Sequence, residues 1–341
     1  MPEVIIAAAE GEACLYQNVL SSFGASDKHR GSVEISGNAQ MFRAWTSAQA
    51  SDDMWFHTLC IRNDGSSNSG TGRTFINIYN ENSQFICGCH DVGPTFSTEF
   101  SWRSRWATTR TSGDVAEGSF TYSANNGQEV SIDIRVRLST VSNPNDTLTV
   151  DWYFEQQLRE TRVITDATGW VRPGEALWTS LQTNSGRDTV NYKDLIITDA
   201  IPTVGMELVT LVPSASGFYS GWTNNYTNID EAGYDPDDLI FSTTAANRES
   251  WILETPTFDT SDKIIYGFVA QQVVQTDLGA VVSDFRPFLR INATDYDGGL
   301  LGANSLAPDS YIYIWTTNPA TAAPWTQEDF NGLEVGLLTV A

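Results

Sequence analysis

Positive charge is scarce in this chain of 341 residues: 19 Lys and Arg stand against 42 Asp and Glu, for a net charge of −23. Nucleic-acid binding needs cations that displace counterions from phosphate, so this balance argues against a DNA or RNA ligand and against an anionic membrane surface. No run approaches the roughly 18 apolar residues of a membrane span. The opening Met1-Pro2-Glu3-Val4-Ile5-Ile6 has neither the basic start nor the apolar stretch of a secretory leader, so no cleaved signal is expected. Histidine is limited to His29, His57 and His90. With no Gly-x-Ser-x-Gly elbow and no glycine-rich phosphate loop, the usual hydrolytic and phosphoryl-transfer motifs are missing.

Cysteine is equally sparse, at Cys14, Cys60, Cys87 and Cys89. Cys87-Gly-Cys89-His90, with His57 and Cys60 upstream, has the outline of a metal site, yet zinc pairs its cysteines across two to four residues rather than one. Buried thiols or one disulfide account for them better, and no metal ligand is assigned.

What the chain does contain is aromatic and aliphatic bulk: 11 Trp, 12 Tyr and 16 Phe within a 41% hydrophobic composition. Large rings pack well on half-buried pleated surfaces, which makes this a β-type inventory. The length suits two domains, placed at 1–200 and 201–341 with a joint punctuated by Pro202, Gly205 and Pro213. In the first, Ile132, Ile134, Val136 and Leu138 alternate with Ser131, Asp133, Arg135 and Arg137, and Leu148, Val150, Trp152 and Phe154 repeat the pattern after the turn Ser142-Asn143-Pro144-Asn145-Asp146. A period of two on both sides of a turn predicts a β-hairpin. Further strands are expected at 31–35, 54–61, 74–79, 84–89 and 189–198, and turns about every ten residues indicate a sandwich or jelly roll. The second domain is expected to be smaller and β-rich, with strands at 264–274, 285–291 and 311–315. One short helix is expected after Pro324-Trp325, N-capped by Thr326 with Asp329 at its third position and ended by Gly332. The fold class is therefore mainly all-β.

The paired strands at 131–138 and 148–154, followed by Tyr192-Lys193-Asp194-Leu195-Ile196-Ile197-Thr198-Asp199, resemble the concanavalin-like, laminin-G-type jelly rolls of phage and bacterial surface proteins. Lys193 stands where such domains usually carry an acid, which weakens any transferred calcium assignment. The second domain resembles the C-terminal module of tailed-phage virion proteins, through Leu211-Val212-Pro213, Gly221-Trp222-Thr223, Asn228-Ile229-Asp230-Glu231 and the closing Asn318-Pro319-Ala320-Thr321, Pro324-Trp325-Thr326 and Phe330-Asn331-Gly332-Leu333-Glu334-Val335-Gly336. The resemblance implies a structural component of a phage particle that is assembled in the host cytoplasm and released with the virion. Its partners would be other virion proteins, further copies of itself (a homo-oligomer, with a trimer as the first choice) and a host-surface glycan.

Jelly rolls of this type include glycoside hydrolases. Retaining enzymes need two carboxyls ~5 Å apart and inverting enzymes ~6.5–9.5 Å. No predicted strand carries the acid-x-acid pattern, and Asp151 and Glu155 lie four residues, roughly 13 Å, apart along a strand. His90 beside Asp91 reads as a turn or surface pair. The chain is accordingly expected not to be an enzyme. Ligand contacts are expected from tryptophans in or beside polar loops, Trp102, Trp106, Trp170 and Trp178, because sugars stack their C–H faces on rings. Trp222, Tyr226 and Trp325 are candidates for attachment or oligomer contacts. Asp295-Tyr296-Asp297-Gly298-Gly299 and Asp235-Pro236-Asp237-Asp238 have the composition of turns; no cofactor is assigned, and a structural calcium ion is left open. The expected function is an accessory tail or fibre-type protein with a lectin-like jelly roll for host recognition. The alternatives are a capsid-decoration or head-fibre protein, and a free carbohydrate-binding module or depolymerase.

Overall fold

The computed structural model describes residues 3–8, 15–17, 33–37, 40–44, 53–64, 74–80, 84–91, 99–108, 115–125, 127–138, 147–164, 177–183, 185–230, 239–256, 263–276, 284–302 and 309–340. They are nearly all β, as expected. Contacts divide the chain into two compact units, Met1–Leu208 and Val209–Ala341. Residues 200–208 stay with the first unit because its buried acids hold them: Thr203 Oγ1 donates to Asp133 Oδ1 at 2.7 Å, and the Leu208 amide donates to Asp194 Oδ2 at 3.3 Å.

The first unit contains β1 (Glu3–Ala8), β2 (Leu15–Gln17), β3 (Val33–Gly37), β4 (Gln40–Ala44), β5 (Asp53–Asp64), β6 (Thr74–Asn80), β7 (Phe85–Asp91), β8 (Glu99–Ala107), β9 (Val115–Glu117), β10 (Tyr122–Asn125), β11 (Glu129–Leu138), β12 (Leu148–Phe154), β13 (Gln157–Ile164), β14 (Leu177–Thr183) and β15 (Ser185–Asp199). A seven-stranded sheet runs β1-β15-β5-β11-β12-β13, with β3 also on β15, and an eight-stranded sheet runs β10-β8-β7-β6-β14-β4-β2, with β9 also on β8. The expected hairpin is present: Ile134 stands opposite Trp152, and Val136 opposite Val150. Strand alternation turns Val130, Ile132, Ile134, Leu148, Val150, Trp152 and Phe154 inward, all fully buried. The two sheets meet through rings: Trp106 lies 6.0 Å from Trp152, and Tyr122 stacks on Phe154 at 5.8 Å. The Trp152 indole donates to the Gly88 carbonyl across the sandwich at 2.7 Å. Between β12 and β13, Glu155 and Gln156 adopt positive φ in a tight two-residue turn that orients the last strand.

The second unit has β16 (Pro213–Ser220), β17 (Arg248–Leu253), β18 (Phe268–Val274), β19 (Asp284–Ile291), β20 (Thr294–Asp297), β21 (Leu301–Gly302), β22 (Asp309–Trp315) and β23 (Glu334–Val340). A six-stranded sheet in the order β16-β17-β23-β19-β20, with β21 on β19, accompanies the two-stranded ribbon β18-β22. Phe268, Trp315, Trp325 and Phe330 centre its core with Leu253, Leu289 and Leu333. The expected helix is one 3₁₀ turn, Gln327–Phe330. Asp329 Oδ2 accepts from the Thr326 amide and hydroxyl at 2.7 and 2.9 Å, and Gly332, at φ +72°, ends the turn before another could form.

Candidate functional site

Alternation decides what the eight-stranded sheet shows to each side. On β8, Trp102, Ser104 and Trp106 face the sandwich interior, which sets Arg103 and Arg105 on the outer side. On β7 the buried thiols Cys87 and Cys89 face inward and Gly88 and His90 outward, while β6 turns Ile76 and Ile78 in and Asn77 and Tyr79 out. The register then aligns outer-face residues across strands: Arg105 is opposite Gly88, Gly88 is opposite Asn77, and Arg103 is opposite His90. Backbone register continues the rows into β14, with Ser180 opposite Asn77 and Trp178 opposite Tyr79.

The arrangement has a buried polar floor and a partly exposed rim. Gly88, Asn77 and His90 form the floor. A methyl group at Gly88 would lie 2.1 Å from the Ile76 carbonyl oxygen and 3.0 Å from Asn77 Oδ1, so the close approach requires glycine. Asn77 Nδ2 donates to the Tyr79 hydroxyl at 3.2 Å, and the Tyr79 ring meets Phe85 edge-on at 5.9 Å. The Arg105 guanidinium lies over Phe85, 5.3 Å from the ring centre. Glu117, from β9, reaches two side chains of this face: Oε2 accepts from Arg103 Nη1 at 3.2 Å, and Oε1 is 3.4 Å from His90 Nε2. Burial pushes the Tyr79 phenol above its ordinary range, although the Asn77 hydrogen bond and Arg105 oppose the shift, so it remains a hydrogen-bond donor at neutral pH. Burial likewise pushes up the Cys87 and Cys89 thiols, with Arg105 partly opposing at Cys89. Both are free thiols, as is Cys60. Protonated thiols are poor metal ligands and poor nucleophiles. Among the described residues no group of three or more His, Cys, Asp and Glu could hold a metal ion.

Several residues singled out from the sequence lie elsewhere. Trp102 is fully buried, so its ring packs the core and offers no face to a ligand, which corrects its assignment. Trp106 also points into the sandwich, against Trp152 and beneath Arg162, whose guanidinium is 4.7 Å from its ring. Trp170 falls outside the described residues, and Trp178 is described only by its backbone register, opposite Tyr79. In the second unit Trp325 is a core residue, 3% exposed, with its indole donating to the Trp315 carbonyl at 2.8 Å, so it is unsuited to the oligomer contact assigned to it. Trp222 and Tyr226 are half-buried against Trp251, Phe285 and Leu337. Asp295 is engaged by Tyr219 at 2.6 Å and Arg290 at 2.7 Å, and Asp297 by Arg248 at 3.0 Å. The four residues of the other acidic motif, 235–238, lie outside the described residues. His90 Nε2 lies 3.4 Å from Glu117 Oε1. The sequence does not assign Asn77, Tyr79, Arg103, Arg105 and Glu117 as a group; the alternation of Arg103 and Arg105 with Trp102 and Trp106 is visible in it, but which set faces outward is fixed only by the strand pairing of 99–107.

No protein-family profile matches the chain, and no curated protein does either. Solved structures do show similarity. One is an alginate lyase, Aly36B, at 8% identity over 58% of this chain and 97% of that one, with a TM-score of 0.39. Another is the CBM2 module of the evolved Dit from Lactobacillus casei BL23 phage J-1, at 9% identity over 58% and 95%, with a TM-score of 0.36. A third is the globular domain of T. cruzi calreticulin, at 7% identity over 58% and 88%, with a TM-score of 0.38. At this level the likeness carries neither ligand nor reaction over to this chain. One expectation is nevertheless corrected: with alginate lyases among the similar structures, the exclusion of enzyme activity does not stand. That exclusion had tested only paired carboxylates, hydrolytic triads and phosphate loops, and a lyase breaks its bond by elimination, which requires none of these.

Proposed function

We propose that this chain is a carbohydrate-binding component of a phage particle, and that its polysaccharide ligand lies on the outer face of the eight-stranded sheet. The observation that carries the reading is the convergence of Arg103, Arg105, Tyr79 and Phe85 around a floor of Gly88, Asn77 and His90. Rings offer flat faces to sugar C–H groups, and amide, phenol and guanidinium groups satisfy hydroxyls and ring substituents. The placement in a virion rests on the resemblance of the second unit to tailed-phage particle modules. An accessory tail or fibre position, in a homo-oligomer such as a trimer, follows as the first choice and capsid decoration as the second. Copies per particle separate them: small multiples of three or six fit the tail, and hundreds fit the capsid.

Retardation of the full chain in native gels containing host-surface polysaccharide tests the binding claim. Retardation that Tyr79→Ala weakens while the melting temperature holds is the expected result, and mobility unchanged by every host polysaccharide would sink it. A second reading, depolymerisation, is favoured by two proton-carrying groups on the same face, the Tyr79 phenol and the His90 imidazole. It predicts release of shortened chains, abolished by Tyr79→Phe with binding retained; intact polymer after prolonged incubation rules it out.

A further inference from the structure

We infer that the two-stranded ribbon β18-β22 is where copies of this chain meet, three ribbons joining edge to edge into a closed six-stranded barrel; the inference rests on the homo-oligomer proposed above and gives it an interface. An isolated pair of strands is marginally stable in water, so a ribbon needs cover. One face has it. Phe268, Ala270 and Trp315 are buried in the core of the second unit, and Val274, Tyr311 and Tyr313 pack against that core. Alternation turns Val269, Gln271, Val273, Ile312 and Ile314 the other way. The register sets Val269 opposite Ile314 and Gln271 opposite Ile312. All five are half-buried, and among the described residues none belongs to either core cluster of this unit. Just before β18, Ile264 is 71% exposed and adds apolar surface.

The edges of the ribbon are open as well. Among the described residues β18 pairs with β22 alone and β22 with β18 alone. Other sheet edges carry the devices that discourage edge pairing. On β13, Glu160 and Arg162 point inward; β16 opens at Pro213 and slips register between Ser216 and Ser220; β20 is four residues long and bears Asp295 and Asp297. The ribbon has none of these: 268–274 and 310–315 contain no charged residue and no proline. Two bodies of net charge −23 repel wherever acidic surfaces meet, so a charge-free stripe is where a second copy approaches at least cost. The two edges are unlike, so β22 of one copy takes β18 of the next, antiparallel as within the ribbon, and the contact repeats by rotation. Three copies close it. Every edge is then paired, and Val269, Val273, Ile312 and Ile314 fill the narrow interior. Gln271, the polar member of the set, meets its counterparts around the axis, where an amide both donates and accepts. A symmetric pair of copies would leave two edges open, and a strand from another protein would satisfy one edge only.

Sedimentation of the full chain, read as mass against concentration, tests the interface. Three times the chain mass is expected. Ile312→Lys should weaken assembly at least about tenfold, with the β-type circular dichroism retained. Lysine lowers the net negative charge, so dissociation of this variant cannot come from added repulsion between copies. Leu158→Lys, at an exposed position on β13 of the first unit, should leave the trimer intact. A monomer at every concentration overturns the homo-oligomer and its interface together. A dimer or tetramer overturns the six-stranded closure. A trimer that Ile312→Lys does not weaken leaves the homo-oligomer in place and overturns the ribbon as its contact. Should that variant fail to fold, hydrogen exchange on the unaltered chain decides. Outward amides of β18 and β22 that exchange slowly in the assembled chain and faster on dilution to monomer are expected, and exchange there that ignores concentration overturns the inference.

Discussion

At the scale of single residues, the candidate face depends on contacts made beneath it. Gly88 forms its floor, and the carbonyl of that same residue accepts the Trp152 indole from the opposite sheet at 2.7 Å. Trp152 is fully buried, so neither partner of this bond has water as a substitute. Trp152→Phe keeps an aromatic ring but removes the donor, and it should lower stability by about 1–3 kcal/mol, read as a fall in the urea midpoint with an unchanged slope. A midpoint that does not move would mean that the bond contributes nothing net. The roles of Trp152 and Trp102 show what was legible at this scale. Trp152 reads as a core residue because its strand alternates cleanly with polar neighbours. Trp102 and Trp106 sit in Ser101-Trp102-Arg103-Ser104-Arg105-Trp106, where rings and arginines alternate and either set could face inward. Only the pairing with β7 and β10 fixes the parity, and it buries the tryptophans and exposes the arginines.

At the scale of elements, the strands best foreseen are those whose own sequence has a period of two, namely β5, β6, β11, β12 and β19. Among the strands not expected is β13, in which charged side chains point toward the sandwich. Glu160 and Arg162 on β13 pair with each other at 2.6 Å, and Glu160 also accepts from Ser104 of the facing sheet. A strand whose inner face is polar gives no hydrophobic alternation to read. The acidic hairpin strand β20 was legible only as composition, because its partners come from distant elements: Tyr219 on β16, Arg248 on β17 and Arg290 on β19. Arg290 also stacks over Phe218 at 4.1 Å and Arg248 over Phe288 at 4.6 Å, forming a ladder of cations and rings across four strands. Burial pushes the Asp295 carboxyl up, but the Tyr219 hydroxyl and the two arginines outweigh it and hold the group below its ordinary range. A carboxylate with a depressed folded pKa stabilises the fold fully above its unfolded value, near 3.9 for Asp, and that contribution disappears as pH falls through the folded value. The second unit should therefore lose stability on acidification below roughly pH 4, and Asp295→Asn should flatten that part of the profile while lowering stability at neutral pH. Parallel acid profiles for the variant and the parent would show that Asp295 is not the group responsible.

At the scale of the whole molecule, the two units carry separate cores, and the consequence is separable unfolding. In the second unit, Gly336 lies where a methyl group would meet the Phe288 ring at 2.4 Å and the Glu249 carbonyl oxygen at 2.3 Å. Phe288 is fully buried and fixed beneath Arg248, so it has little room to yield. Gly336→Ala should cost about 1–3 kcal/mol or more through overpacking. Because Gly336, Phe288 and Glu249 all belong to the second unit, calorimetry should resolve two transitions, of which the variant lowers one and leaves the other in place. A polysaccharide ligand of the first unit, as proposed above, should act in the complementary way, raising the transition that Gly336→Ala leaves untouched by an increment that grows with ligand concentration. The two perturbations together assign each transition to a unit without dividing the chain. A single transition that moves as a whole under both would mean that folding of the first unit is coupled to the unit beyond residue 208, and truncation at that point would then destabilise the sandwich as it removes the second core.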